Sequence, residues 1–180
     1  MINLNKIYEK IAQEDKVNYF SVVRISKVIV STGFGKFRDN QAKIDQIKKD
    51  LIAMTGQKPA YCQAKNAISA FKLRKNEIIG YKTTLRAKKM EDFLDRLVNL
   101  TLPNIRDFKG INLDSLDKSN NLSLGIKEHF VFPEIPFDTP SGIIGVSITI
   151  VFKNSSDRQK VIHLLKYIGF PIGKEDKIKK

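Results

Sequence analysis

Lys82, Thr84 and Arg86 stand two residues apart, the spacing at which an extended chain presents side chains on one face. Two cations and a hydroxyl in that arrangement suit phosphate and ribose oxygens. Ile79, Tyr81, Thr83 and Leu85 fall between them, so residues 79–86 are expected to form a strand with one face on a core. Its other face carries Gly80, Lys82, Thr84 and Arg86. No nucleophile, general base or metal ligand stands there, so binding rather than catalysis is expected.

Other candidates for chemistry are weaker. Residues 31–36, STGFGK, read as a glycine turn, but Phe37 follows the lysine and no third glycine follows Gly35 at the dinucleotide spacing. The turn serves either to let the backbone near Gly33 approach an RNA phosphate or simply to reverse the chain. His129 and His163 have no metal-binding spacing, and a surface or packing role is expected for both. Glu91 and Asp92 share their segment with Lys88, Lys89 and Arg96, as solvated ion pairs do. Cys62, the single cysteine, excludes an internal disulfide and fits a small core position. Phe71 lies beside Lys72 and Arg74, and Phe108 beside Arg106 and Lys109; each is either a base-stacking platform or a core anchor.

The charge agrees with the strand. With 32 Lys and Arg against 19 Asp and Glu, the 180-residue chain carries a formal charge of +13. Such an excess on a chain that is 42% hydrophobic, enough for a core, points to a polyanionic partner and first to nucleic acid. A bilayer-spanning role is excluded because no run of about twenty apolar residues occurs. The first sixteen residues mix acids and bases, so neither export nor membrane attachment is expected.

A single domain over residues 1–180 is expected, with an N-terminal helix within 1–16 and a basic tail at 174–180. Leu4, Ile7, Tyr8 and Ile11 recur at helical spacing. Residues 22–30 read as a strand, and Asn40 as the cap of a helix with the stripe Ile44, Ile47, Leu51, Ile52, stopped by Gly56. Residues 59–65 read as extended. Met90, Phe93, Leu94, Leu97 and Val98 form the next helical stripe, which Pro103 is expected to end. Alternation predicts strands over 121–129 and 146–152. Ser155 or Ser156 is expected to cap a last helix bearing Val161, Ile162, Leu164, Leu165 and Ile168, closed by Gly169 and Pro171. The fold class expected is α+β: a two-layer sandwich, helices on one face of a mostly antiparallel sheet, the other face polar and turned to RNA.

Seven segments then carry a resemblance. TGQKP (55–59), AFKLR (70–74), KTTLR (82–86), FLDR (93–96), LPNIRDFKG (102–110), SLGIKE (123–128) and FPEI (132–135) are weak singly. In this order, over residues 27–171, they resemble the bacterial-type family of ribosomal protein number five of the large subunit, the universal 5S rRNA binders. The resemblance implies the same α+β fold, no enzymatic activity and no cofactor or metal. It implies a location on the ribosome of the cytoplasm or of an organelle. The partners it implies are 5S rRNA, 23S-type rRNA in the central protuberance, P-site tRNA, protein thirteen of the small-subunit head and neighbouring large-subunit proteins. A free-standing RNA- or tRNA-binding regulator sharing the fold is the alternative, distinguished by finding the chain outside ribosomal particles.

Carried over by position, the resemblance makes Gln57, Thr84 and Arg86 contacts to 5S rRNA. Gly33, Lys65, Lys72, Arg74 and Lys82 complete the expected RNA surface. Ser31 and Ser147 stand where the family has Asn and Asp, which implies a retuned interface. Lys75, Asn76, Glu77, Ile78 and Ile79 form the loop expected to be mobile and to lie against P-site tRNA, with Asn76–Ile79 replacing the family's Gly-Met-Pro-Ile. Residues 118–121 replace Gly-Arg-Gly-Asn, and Ile144 replaces an Arg; together these departures suggest a divergent lineage.

Overall fold

The computed structural model describes residues 2–37, 40–106, 108, 110–136 and 142–173; the basic segment expected at 174–180 lies outside them. The strands are β1 (Arg24–Gly33), β2 (Ala60–Gln63), β3 (Ile78–Leu85), β4 (Leu122–Ile126) and β5 (Val146–Lys153). They form a five-stranded antiparallel sheet in the order β2-β3-β1-β5-β4, accompanied among the described residues by four helices, which is the expected α+β class. The helical segments are α1 (Leu4–Glu14), α2 (Gln41–Thr55), α3 (Ala87–Arg96) running on into a short α4 (Leu102–Asn104), and α5 (Arg158–Ile168).

The chain clusters into two compact units, one of Met1–Val28, Arg86–Leu124 and Thr149–Lys180, the other of Ile29–Leu85 and Gly125–Ile148. In the first, α1 starts at Asn3, whose side chain accepts the Lys6 N–H, and buries Leu4, Tyr8 and Ile11. The Tyr8 hydroxyl accepts the Ile25 N–H at 3.0 Å, and Tyr167 on α5 donates to Glu14 Oε1. Leu94, Leu97, Leu122, Ile150 and Val161 are wholly buried.

Two expectations in this unit are corrected. Pro103 does not end its helix. The chain widens into a π turn at Leu97–Thr101 and continues through Leu102–Asn104 with Pro103 in the first positions of α4. The wider turn accommodates a ring that lacks an N–H and would collide with a regular preceding turn. The cap of α5 is Asp157, whose carboxylate accepts the Gln159 N–H at 2.9 Å. Ser155 is engaged elsewhere: its hydroxyl donates to the Ser119 carbonyl at 3.1 Å, and its own carbonyl accepts Asn120 Nδ2 at 2.6 Å.

In the second unit, Asn40 caps α2 by accepting the Lys43 N–H at 3.1 Å, and Gly56 closes it in the left-handed region, φ 63°. Ile44, Ile47, Leu51 and Met54 are buried, whereas Ile52 is partly exposed. β2 pairs with β3 antiparallel, Tyr61 opposite Tyr81 and Cys62 opposite Gly80, and the register shifts after Cys62. Cys62 is half-buried on this strand rather than a core residue. β1 begins two residues later than expected and runs on through Ser31, Thr32 and Gly33. Only Gly35–Phe37 turns, as one 3-10 turn.

Candidate nucleic-acid interface

On β3 the alternation holds over its central residues. Tyr81, Thr83 and Leu85 are buried, Lys82 is exposed and Thr84 half-buried. Gly80 departs from the pattern and is itself buried, with the Thr32 backbone so near that a Cβ there would lie 2.7 Å from its carbonyl oxygen. Ile79 is half-buried at the register shift, where its carbonyl accepts the Phe34 N–H at 3.0 Å. Arg86 has left the strand: exposed, with extended backbone, it precedes the first turn of α3 and belongs to the other unit. The four-residue polar face thus reduces to Lys82 and Thr84.

Gln57 joins that face from a turn. Buried Thr55 donates its hydroxyl to the Leu51 carbonyl at 2.6 Å and receives the Gln57 N–H at 3.4 Å. So held, Gln57 donates Nε2 to the Thr84 carbonyl at 3.2 Å. The bond ties the Gln57 side chain to the backbone of β3 across 27 positions of sequence, and the amide oxygen and the Thr84 hydroxyl are both of types that meet ribose or phosphate.

The remaining residues of the second unit present a broader surface. Ser31 is half-buried on β1 and Ser147 exposed on β5. Thr32 links these regions by donating to the Gly145 carbonyl at 2.9 Å. Lys65, Lys72 and Arg74 are exposed or half-exposed side chains of the same unit. Gly33 and Gly35 both lack positive φ and have room for a Cβ, whose nearest neighbour at Gly33 would be the Ile79 oxygen at 3.9 Å. The fold does not require glycine at either position, which leaves bare backbone for a ligand to approach.

The loop expected over residues 75–79 is shorter. Lys75 and Asn76 form the turn, Glu77 follows, and Ile78 and Ile79 are strand residues of β3. Asn76 N–H donates to the Ala64 carbonyl and Ala64 N–H to the Glu77 carbonyl, each at 2.9 Å. Asn76 has φ 67° and Asn120 φ 61°; both stand at glycines in the pattern the chain resembles, and Asn tolerates that region better than other side chains. The 118–121 turn is tied by Asp117, which accepts the Ser119 and Asn121 N–H groups at 2.8 Å and Asn121 Nδ2 at 3.0 Å. The Asn121 and Ser119 bonds hold its carboxyl below the usual range.

Three features escaped the sequence. His129 is buried with its Nε2 3.4 Å from Asp50 Oδ2, and burial holds the imidazole below its usual range while the carboxylate opposes that shift. Asp50 sits three residues from Ile47 and four from Met54, so its helical register already put a carboxylate on the buried stripe. Tyr61 is half exposed on β2 with Lys48 Nζ 5.9 Å from its ring centre, and Phe37 has Lys43 Nζ at 4.9 Å. Phe71 is 69% exposed, a surface ring rather than a core anchor, while Phe108 is half-buried and Lys109 lies outside the described residues. Among the described residues no cluster of three or more His, Cys, Asp or Glu assembles as a metal site, and no helix is long and apolar enough to cross a membrane.

Comparison with known families matches residues 18–74 to "Ribosomal protein L5" and residues 78–172 to the C-terminal part of the same ribosomal protein family. The chain is 42% identical to a protein of Halothermothrix orenii over 157 residues, 87% of each chain. It is 41% identical to one of Pelobacter propionicus over 177 residues, 95% of this chain and 98% of the relative. A protein of Blochmanniella floridana is 37% identical over 172 residues, 96% of this chain and 90% of the relative. All three relatives carry the name "Large ribosomal subunit protein uL5".

Proposed function

Because the chain belongs to the ribosomal protein L5 family, we propose that the polar surface of its second unit is a 5S rRNA interface. The protein is a structural, non-enzymatic constituent of the large ribosomal subunit. The observation that carries the finer reading is the Gln57 bond to the Thr84 carbonyl, which fastens an amide to the strand that carries exposed Lys82 and half-buried Thr84. Ser31, Gly33 and Ser147, with the cations Lys65, Lys72 and Arg74, extend this surface, and Arg86 is a further RNA-binding cation on the other unit. Cations fix the duplex backbone while the amide and hydroxyl select local geometry.

Filter-binding titration of the purified chain tests this. Tight binding to 5S rRNA but not to a small-subunit rRNA fragment of equal length supports it, and equal affinity for both overturns it. Contact with P-site tRNA is proposed for the turn Lys75–Asn76 and the adjoining Glu77, Ile78 and Ile79, supported by the exposure of the first two side chains. Asn76→Cys carrying a photoreactive group should crosslink to P-site tRNA in assembled ribosomes. Crosslinks to 5S rRNA alone would reassign the turn. Contacts with 23S-type rRNA and with protein thirteen of the small-subunit head are proposed from the family resemblance.

A further inference from the structure

On the first unit, Phe20 is 76% exposed, more than any other large apolar side chain among the described residues. It stands in the 3-10 turn Tyr19–Ser21, which is fastened on several sides. Asn18 accepts the Phe20 N–H at 2.9 Å, and the Ser21 hydroxyl donates to the Asn18 carbonyl at 2.7 Å. Asn154 Nδ2 donates to the carbonyls of Phe20 at 2.9 Å and of Val22 at 3.3 Å. The Tyr19 and Phe20 rings meet edge to face with centres 5.5 Å apart, and the Arg24 guanidinium lies 4.1 Å from the Tyr19 ring centre while donating to the Tyr19 carbonyl at 2.6 Å. A surface ring held this firmly loses little freedom when a partner covers it, and aromatic rings are the usual anchors of protein interfaces.

Tyr19 is shared between that turn and an open hollow of about 430 Å³, which Glu9, Ala12, Gln13 and Val17 also line. Glu9 is the one charged residue of the lining, and no described cation pairs with it. The last turn of α1 carries no basic residue, and Glu14 and Asp15 stand at its end, so the terminal carbonyls add to the negative potential there. Over residues 1–16 three lysines only offset three acids, whereas the whole chain carries +13. The positive excess that suits RNA lies elsewhere in the chain.

We propose that this surface docks a basic segment of a neighbouring protein, an arginine side chain entering the hollow against Glu9 and the Tyr19 ring and an apolar side chain covering Phe20. It does not rest on the 5S reading, whose residues lie in the other unit except for Arg86. A guanidinium matches the hollow in both respects, because it pairs with a carboxylate and stacks on an aromatic face. A phosphate backbone or an acidic peptide would meet Glu9 as a like charge, and a wholly apolar partner would bury that carboxylate unpaired. A second copy of the chain, applied through the same patch, would set Glu9 against Glu9.

Two measurements test this. Titration of the isotope-labelled chain with a capped peptide of alternating arginine and leucine should give saturable amide shifts confined to α1 and residues 17–21, and the same peptide with citrulline for arginine should bind more weakly. Glu9→Gln should weaken the arginine peptide roughly 1.5- to 5-fold, as for exposed ion pairs, and Phe20→Ala roughly 5- to 30-fold, as for an interface anchor. Both variants should melt like wild type because both side chains are exposed. In assembled ribosomes, photoreactive p-benzoylphenylalanine at position 20 should crosslink to an arginine-bearing basic segment of another protein, and Glu9→Lys should reduce that yield. Crosslinks only to rRNA, to an acidic segment or to a second copy of the chain, or none at all, overturn the proposal. So do shifts scattered over the chain, equal binding of the citrulline peptide, or binding that Glu9→Gln and Phe20→Ala leave unchanged.

Discussion

Removing the Leu85 side chain empties a position with no solvent exposure, so Leu85→Ala should destabilise by roughly 2–5 kcal/mol, transfer and cavity costs together. Its neighbour Thr84 is half-buried, and the bond it makes to Gln57 uses its carbonyl, which Thr84→Ala keeps. That variant should melt near wild type yet bind 5S rRNA more weakly; equal melting losses for the two would refute the assignment of faces. His129 behaves differently, because burial holds its folded imidazole below the ordinary ~6.5. As pH falls through that range the unfolded chain takes up a proton that the folded chain resists, so the folded state loses stability below about pH 6.5 and nothing above it. Thermal melts from about pH 8 to about pH 5 should show this decline, and His129→Gln should flatten it. A decline of equal steepness in the variant would assign the effect to other groups.

Two glycines show how elements constrain substitution. At Gly80 a Cβ would meet the Thr32 carbonyl oxygen at 2.7 Å, whereas at Gly33 its nearest neighbour would be 3.9 Å away. Gly80→Ala should therefore disrupt the second unit, visible as a lost or broadened melt. Gly33→Ala should fold normally and weaken 5S binding by keeping RNA off the backbone. Weak binding with a normal fold at Gly33 is the decisive result, since unaltered affinity would leave that backbone without a ligand. The sequence carried the elements because their signals are local: stripes at helical spacing, alternation in β3 and β5, Asn40 and Gly56 as caps. It did not reveal where β1 ends, since Ser31–Thr32–Gly33 looks like a turn until pairing partners are supplied. It misplaced Arg86 for the same reason, because period two continues past the strand's last residue. At the candidate site, the exposure of Lys82 and the partial burial of Thr84 follow from the spacing, whereas the approach of Gln57 to the Thr84 carbonyl depends on tertiary packing.

At the scale of the whole molecule, the charge of +13 has to act through cations that reach the RNA. Lys65, Lys72, Arg74, Lys75 and Lys82 all lie in the second unit, and exposed Arg86 stands in the other. If these and neighbouring cations neutralise roughly five to eight phosphates, each releasing ~0.7–0.9 counterion, log affinity should fall against log salt with a slope of about −4 to −7. Lys82→Ala should make that slope shallower by about one unit while weakening binding at low salt. Phe71→Ala, which removes a ring and no charge, should lower affinity at every salt concentration and leave the slope unchanged. Titrations of wild type and both variants across a salt series separate the two contributions. A flat wild-type response would remove the phosphate-dominated account altogether, and a changed slope in Phe71→Ala would show that the ring acts by positioning cations rather than by stacking.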